Sequence, residues 1–371
     1  MKVNFYSLNN KVLKKKGVLL VNLGSPDSTK FRDVRKYLGE FLMDKRVIDM
    51  PYLKRLLLVK GIILNTRPKK TAAAYKKIWL KEGSPLIILS EKFHKKVSKK
   101  SKIPVALSMR YGSMSIENGI TELNNQGVNH IFLIPLYPHY AMSSFETVVE
   151  KVFEIQKKSF PDIKIDTFPA FYRESNYIKA MSGKILKNIK DFKYDYILFS
   201  YHGIPERHIK ISDPTKTHCK IDGTCCDLPS KAHQTCYRHQ CFETTRGIVK
   251  TLGLKEGTYG NSFQSRLLKD PWLKPYTDFE FERLAKEGVK NLIVLTPSFV
   301  TDCLETLEEI AIEGKNQFLE AGGISYKHIP CLNDDDQWVE VVYNWIKKWE
   351  DAVSVSRKGD NFNLETNNNF N

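Results

Sequence analysis

A chain of 371 residues with 42% hydrophobic content can bury a large core, and that length favours two domains or one large one. The basic start (Lys14, Lys15, Lys16) lacks the apolar stretch of a signal peptide, and no apolar run reaches the roughly 18 residues of a membrane span, so the expected location is the cytoplasm. A net charge of +16 would suit nucleic acid or an anionic membrane face, but the lysines are scattered without any nucleic-acid-binding signature, which argues against nucleic acid and for a lysine-rich solvated surface.

Short β-branched runs end in turn residues and precede helical patterns, the alternation of parallel α/β folds. Gly17 to Leu23 reads as a buried strand running into Gly24-Ser25-Pro26-Asp27 and then an amphipathic helix near Phe31 to Phe41. An apolar insertion follows, about 41–64, in which Leu, Val and Ile alternate with Lys54, Arg55 and Lys60. It is too short to span a bilayer and predicts peripheral membrane contact, with a buried helix as the alternative. Further strands fit Pro104 to Met109, Ile131 to Leu136, Ile163 to Phe168, Tyr196 to Ser200 and Leu292 to Thr296. Trp338, Val341, Val342 and Trp345 recur at helical spacing as a core stripe. The Asn-rich polar tail, 354–371, predicts disorder.

The chain also echoes itself. Gly127 to Pro135 recurs in kind as Gly288 to Thr296, and each leads to a Glu-Thr helix, Phe145-Glu146-Thr147 and Leu304-Glu305-Thr306. Leu23-Gly24-Ser25-Pro26 parallels His202-Gly203-Ile204-Pro205, and Tyr111-Gly112-Ser113 parallels Tyr259-Gly260-Asn261-Ser262. Three matched loops in one order predict two similar halves, 17–165 with the apolar insertion and 166–350 with a cysteine-rich segment, after an N-terminal extension, 1–16. Ligands of open α/β sheets sit at the carboxyl ends of the strands, so matched loops would line one cleft.

Three groups of residues carry chemistry. His202 follows an apolar strand, with Gly203 and Pro205 forcing a turn, which places an imidazole at a cleft mouth for proton removal or metal ligation. Asp302, Glu305 and Glu309 fall at i, i+3 and i+7, a line of carboxylates on one α-helical face that could pass a cation inward or protons outward. The competing reading makes Asp302 and Glu305 a helix cap. Five of the seven cysteines, Cys219, Cys225, Cys226, Cys236 and Cys241, lie in one short segment without the paired C-x2-C spacing of most zinc folds. A [2Fe-2S] cluster, zinc and free redox thiols all remain open there, with four ligands from five the natural count for a cluster. Cys303 and Cys331 read as buried small side chains.

Taken with Val21 to Pro26, Gly83-Ser84-Pro85-Leu86, Arg110-Tyr111-Gly112, Pro135 to Pro138, Ser200 to Pro205, Tyr259 to Ser265, Pro271-Trp272-Leu273 and Asp302 to Glu309, the chain resembles the ferrochelatase family from about Gly17 to Trp349. The resemblance implies an α/β fold of two Rossmann-like halves, each a parallel sheet flanked by helices, facing one cleft. It implies a lyase inserting Fe2+ into protoporphyrin IX in the last step of haem formation. A coproporphyrin or other class II metal chelatase, and a non-catalytic haem- or cluster-binding iron sensor, are the alternatives. By resemblance His202 and Glu305 are catalytic and bind the Fe2+, Asp302 and Glu309 extend an acidic path, Arg110 and Tyr111 contact the porphyrin or its surroundings, and residues 41–64 form a lip over the pocket. A subset of the family carries an internal [2Fe-2S] segment, for which the expected ligands here are Cys219, Cys226, Cys236 and Cys241, with Cys225 pointing away and zinc as the alternative metal. The sequence carries no signal for an oligomeric state.

Overall fold

The computed structural model describes residues 15–267 and 270–355. The expected N-terminal extension and polar tail therefore lie almost wholly outside the described residues. Val18, Leu19, Leu20 and Val21 are fully buried in strand β1 (Lys16–Gly24), because a central parallel strand is covered on both faces and so reads as an unbroken apolar run. It pairs in parallel with β2 (Val105–Tyr111) and β3 (His130–Pro135), and β3 pairs with β4 (Lys164–Thr167). The second sheet repeats the plan with β5 (Tyr196–His202), β6 (Tyr259–Gln264), β7 (Asn291–Leu295) and β8 (Ser325–His328), also parallel throughout. The orders β2-β1-β3-β4 and β6-β5-β7-β8 are the same, so the internal echo is an architectural repeat.

The repeat extends to local geometry. Gly127 (φ +78°) and Gly288 (φ +98°) each reverse the chain between a helix and the next strand, a left-handed conformation that glycine adopts without a Cβ clash. Each Glu-Thr helix opens as a π-helix, at Met142–Glu146 and Glu305–Gly314. One matched loop is corrected: Tyr259-Gly260-Asn261 opens β6, and the strand end facing the cleft is Gln264-Ser265. Strands β6 and β8 escaped the sequence reading because each is a sheet edge with polar sequence, YGNSFQ and SYKH.

The final helix, Asp336–Val355, carries the expected stripe, and Trp338, Val341, Val342 and Trp345 are all buried. It packs back on the first sheet, whose strand β4 runs across the expected boundary at 165/166: Trp345 stacks on Phe168 at 4.3 Å and Trp349 on Phe132 at 4.8 Å. In the insertion, helix Tyr52–Leu56 runs into a π-helical segment, Leu57–Ile63, and then helix Leu64–Ile78. Val59, Ile63 and Leu64 pack against Val34, Leu38 and Leu42 of helix Phe31–Leu42. Tyr52, Leu53, Leu57 and Ile62 face outward, 60–71% exposed, beside exposed Lys54 and Lys60, so the insertion is not a wholly buried helix. No helix among the described residues is long and apolar enough to cross a membrane.

Candidate active site

His202 is the last residue of β5, and the turn at Gly203 lets that strand end close on the end of β6, where a Cβ would meet the carbonyl oxygens of Gln264 and Ser265 at 2.9 and 3.0 Å. The peptide is held on both sides: His202 N donates to Ser298 Oγ at 2.9 Å, and Tyr237 Oη donates to His202 O at 2.8 Å. The ring is fixed by Nδ1, 2.7 Å from Gly203 O. A carbonyl oxygen only accepts, so Nδ1 carries a proton, and in the neutral ring Nε2 is the nitrogen that keeps a lone pair.

The carboxylates follow a different geometry from the one their spacing suggests. The helix begins after Asp302, and Glu305–Gly314 is π-helical, so an α-helical face through Asp302, Glu305 and Glu309 does not exist. Asp302 is 3% exposed and spent on structure: Oδ1 accepts from Thr306 Oγ1 (2.8 Å) and Cys331 N (3.2 Å), and Oδ2 from Asn333 Nδ2 (2.7 Å). It accepts from no backbone amide of the helix but ties the Thr306 hydroxyl to the 331–333 loop, and it does not line the cleft. Glu305 and Glu309 do line the cleft, and Glu308 and Glu313 of the same helix line it with them. Burial raises the carboxyl of Glu309 above the ordinary range, opposed by the hydroxyl of Ser265 at 2.6 Å and by His202. Ser265 reaches it from a left-handed backbone, φ +62°, just past β6. Burial likewise raises Glu308, whose partner is Lys77 Nζ at 2.6 Å, and Lys77 also reaches Glu313 at 3.4 Å. Lys77 lies near the end of helix Leu64–Ile78, so an ion pair ties the helix that follows the lip to the acidic helix.

These groups open on one cleft of about 660 Å³ lined by both halves, with Ser25, Tyr37 and Phe41 from the first and His202, Gln264 and Glu305 from the second. Arg110 and Tyr111 do not line it. Both bind Asp44 Oδ2, Arg110 Nη2 at 2.6 Å and Tyr111 Oη at 2.9 Å, and Thr147 Oγ1 donates to the same oxygen at 2.5 Å. Burial would raise the Asp44 carboxyl, but these partners outweigh it and hold it below its usual range. The cluster braces the start of the lip, and Tyr111 meets the cleft-lining Phe41 edge-on at 5.2 Å, so its influence on a ligand is indirect. Across the cleft mouth Arg207 bridges Asp49 of the lip and Asp270, each at 2.6 Å. Cys303 and Cys331 are buried as expected, and Cys303 lies beside Glu305 at the cleft wall.

In the cysteine segment Cys225, Cys226, Cys236 and Cys241 are buried and Cys219 is half-buried. The thiols of Cys219 and Cys225 lie close enough to act on each other's ionisation, as do those of Cys226 and Cys236. Cys241 is fully buried in the core beneath them, against Tyr237. Adjacency therefore does not disqualify Cys225, because Cys225 and Cys226 belong to different pairs. Histidines fix their backbone: His218 Nε2 lies 3.0 Å from Cys225 O and His239 Nδ1 2.8 Å from Cys226 O. Among the described residues no three His, Cys, Asp or Glu side chains converge on a point that one metal ion could occupy.

Two like parallel sheets meeting at one cleft, with a proton-accepting imidazole on one wall and carboxylates on a π-helix, define a chelatase-type enzyme. A ferrochelatase family profile matches residues 15–349. The ferrochelatase of Opitutus terrae is 48% identical over 340 residues, covering 91% of this chain and 98% of that protein. The ferrochelatase of Pseudomonas fluorescens (strain SBW25) is 44% identical over 327 residues, covering 88% and 95%. Among solved structures, SirB from Bacillus subtilis with Fe3+ aligns with a TM-score of 0.49 at 13% identity, over 90% of this chain and 95% of that one. The chain belongs to the ferrochelatase family.

Proposed function

We propose that this lyase inserts Fe2+ into protoporphyrin IX. The observation that carries the reading is the pinned tautomer of His202, whose free Nε2 shares a cleft with Glu305 and Glu309. Metallation replaces two pyrrole N–H protons by the metal, so the site must accept protons on one side and strip water from the cation on the other. Neutral His202 supplies the lone pair for a pyrrole proton. Glu305 offers carboxylate oxygen in exchange for water on Fe2+, a hard ligand for a cation in transit. A raised Glu309 carboxyl can hold a proton nearer neutrality and release it toward Glu308 and Glu313. Bending the macrocycle to expose its nitrogens would draw on binding energy from the cleft walls. His202→Ala tests this directly: iron insertion should fall by about 10²–10⁴-fold, the range of general acid–base catalysis, with the fold unchanged by circular dichroism. Turnover near the parent rate would remove His202 from the mechanism.

The cysteine segment fits a [2Fe-2S] cluster. Two separate thiol pairs, Cys219 with Cys225 and Cys226 with Cys236, match a cluster with two thiolates on each of two irons, whereas zinc needs four donors at one point. Lys220 N already donates to Cys225 Sγ at 3.2 Å, as backbone amides do to cluster sulfurs. When bound, such a cluster would supply a redox-sensitive brace beside the His202 loop, and no step of insertion depends on it. Cytoplasmic location with the lip resting on a membrane surface is supported by the exposed apolar and basic side chains of residues 52–62.

A further inference from the structure

Arg238 occupies an unusual place for a cation. It is 5% exposed in the first turn of helix Tyr237–Leu252, between Cys236 and Cys241 in sequence. Nη1 donates to Ile221 O and Nη2 to Lys220 O at 2.6 Å, with Cys225 Sγ 3.9 Å from Nη2, while Nε has no hydrogen-bond partner. Among the described residues no carboxylate lies within ion-pair distance of it. Asp222 is near but exposed, and its Oδ1 is taken by Thr224 N and Oγ1. A guanidinium does not deprotonate in proteins, and a buried charge without a counter-charge is strongly disfavoured. The side chain recorded nearest the guanidinium is a thiol, Cys225 Sγ, in the segment that also holds Cys219, Cys226 and Cys236. Four neutral thiols offer no counter-charge. Four thiolates holding an iron–sulfur core do, because that assembly is a net anion.

We infer that Arg238 is the counter-charge of a cluster held by Cys219, Cys225, Cys226 and Cys236, and that it sets the cluster's reduction potential. The inference rests on the cluster reading above and concerns this residue's own part in it. Reduction adds one more negative charge to the site, and a fixed cation beside the sulfurs favours that state, so Arg238 raises the potential. It is a positioning and tuning residue, remote from the porphyrin chemistry.

The test uses the full chain, purified anaerobically, with iron and sulfide analysis, visible absorption and a redox titration followed by electron paramagnetic resonance. Cys241→Ser should keep the cluster and Cys225→Ser should lose it. Arg238→Gln should keep the fold and titrate at lower potential. The expected change is at least tenfold in the reduced-to-oxidised ratio at a fixed ambient potential, which is 59 mV for a one-electron couple, with Arg238→Lys between it and the parent. Loss of iron in Arg238→Gln with retention in Arg238→Lys would also support the inference, since only the charge is then shared. An unchanged midpoint in Arg238→Gln overturns it. Loss of iron from both variants, with helical content intact, overturns it in favour of a tether for the 220 and 221 carbonyls. A parent protein without iron and sulfide overturns the cluster reading itself, and this inference with it.

Discussion

At the residue scale the site divides into groups that touch the cleft and groups that hold them. His202 was legible because a histidine directly after an apolar strand, backed by Gly203 and Pro205, has one place to go in an α/β fold. Its tautomer was not, since it depends on the Gly203 carbonyl meeting Nδ1. The D-x-x-E ambiguity resolves by partners: Asp302 ties the start of the helix to the 331–333 loop through Thr306, Asn333 and the Cys331 amide, and Glu305 lines the cleft. Glu305→Gln should therefore change stability by less than about 0.5 kcal/mol, as substitutions away from caps and cores do. The same change should lower iron insertion by about 100-fold or more through loss of the carboxylate charge. Thermal denaturation beside an insertion assay reads both, and a destabilised but active variant would restore the capping role to Glu305.

At the element scale, strands with both faces buried announce themselves, as Val18 to Val21 and Ile131 to Ile134 do. Edge strands β6 and β8 draw their order from backbone pairing with β5 and β7, which a polar sequence does not advertise. The π-helix at Glu305–Gly314 was equally silent, since i to i+5 bonding has no distinct residue spacing, and along it Glu308 and Glu313 join Glu305 and Glu309 in the cleft lining. The lip is the element with the most exposed apolar surface, at Tyr52, Leu53, Leu57 and Ile62. Each leucine buried in a lipid interface contributes roughly 1.5–3 kcal/mol, so Leu53→Ser with Leu57→Ser should reduce partitioning onto anionic liposomes by about 100-fold. Sedimentation with vesicles at low and high salt measures this. Equal partitioning of parent and double variant would show that the lip is not the docking surface.

At the scale of the whole molecule, the final helix joins the C-terminal end of the chain to the first sheet. Asp166 on β4 accepts from His130 Nε2 at 2.7 Å and from Trp349 Nε1 at 2.9 Å, and these partners outweigh burial to hold its carboxyl at about 2. A lowered carboxyl stabilises the fold fully above its unfolded value, about 3.9, and that contribution is lost as pH falls through about 2. Asp166→Asn should cost about 2 kcal/mol at neutral pH and flatten the stability curve between roughly pH 4 and pH 2. His139, buried and lowered to about 3, adds a loss that starts higher, as pH drops below its ordinary value of about 6.5. Urea denaturation across that range reads both slopes, and a parent curve flat from pH 6 to pH 3 would refute them. The two halves were legible from matched motifs, whereas the ties between them, Asp166 with Trp349, Arg207 with Asp49 and Lys77 with Glu308, join residues far apart in the chain and leave no local pattern. The central claim is metallation itself, and the most direct test is anaerobic turnover of the purified chain with Fe2+ and protoporphyrin IX beside coproporphyrin, followed by loss of porphyrin fluorescence. The account predicts many catalysed turnovers to protohaem. Porphyrin binding without metallation above the uncatalysed rate would contradict it, and turnover confined to coproporphyrin would contradict the substrate.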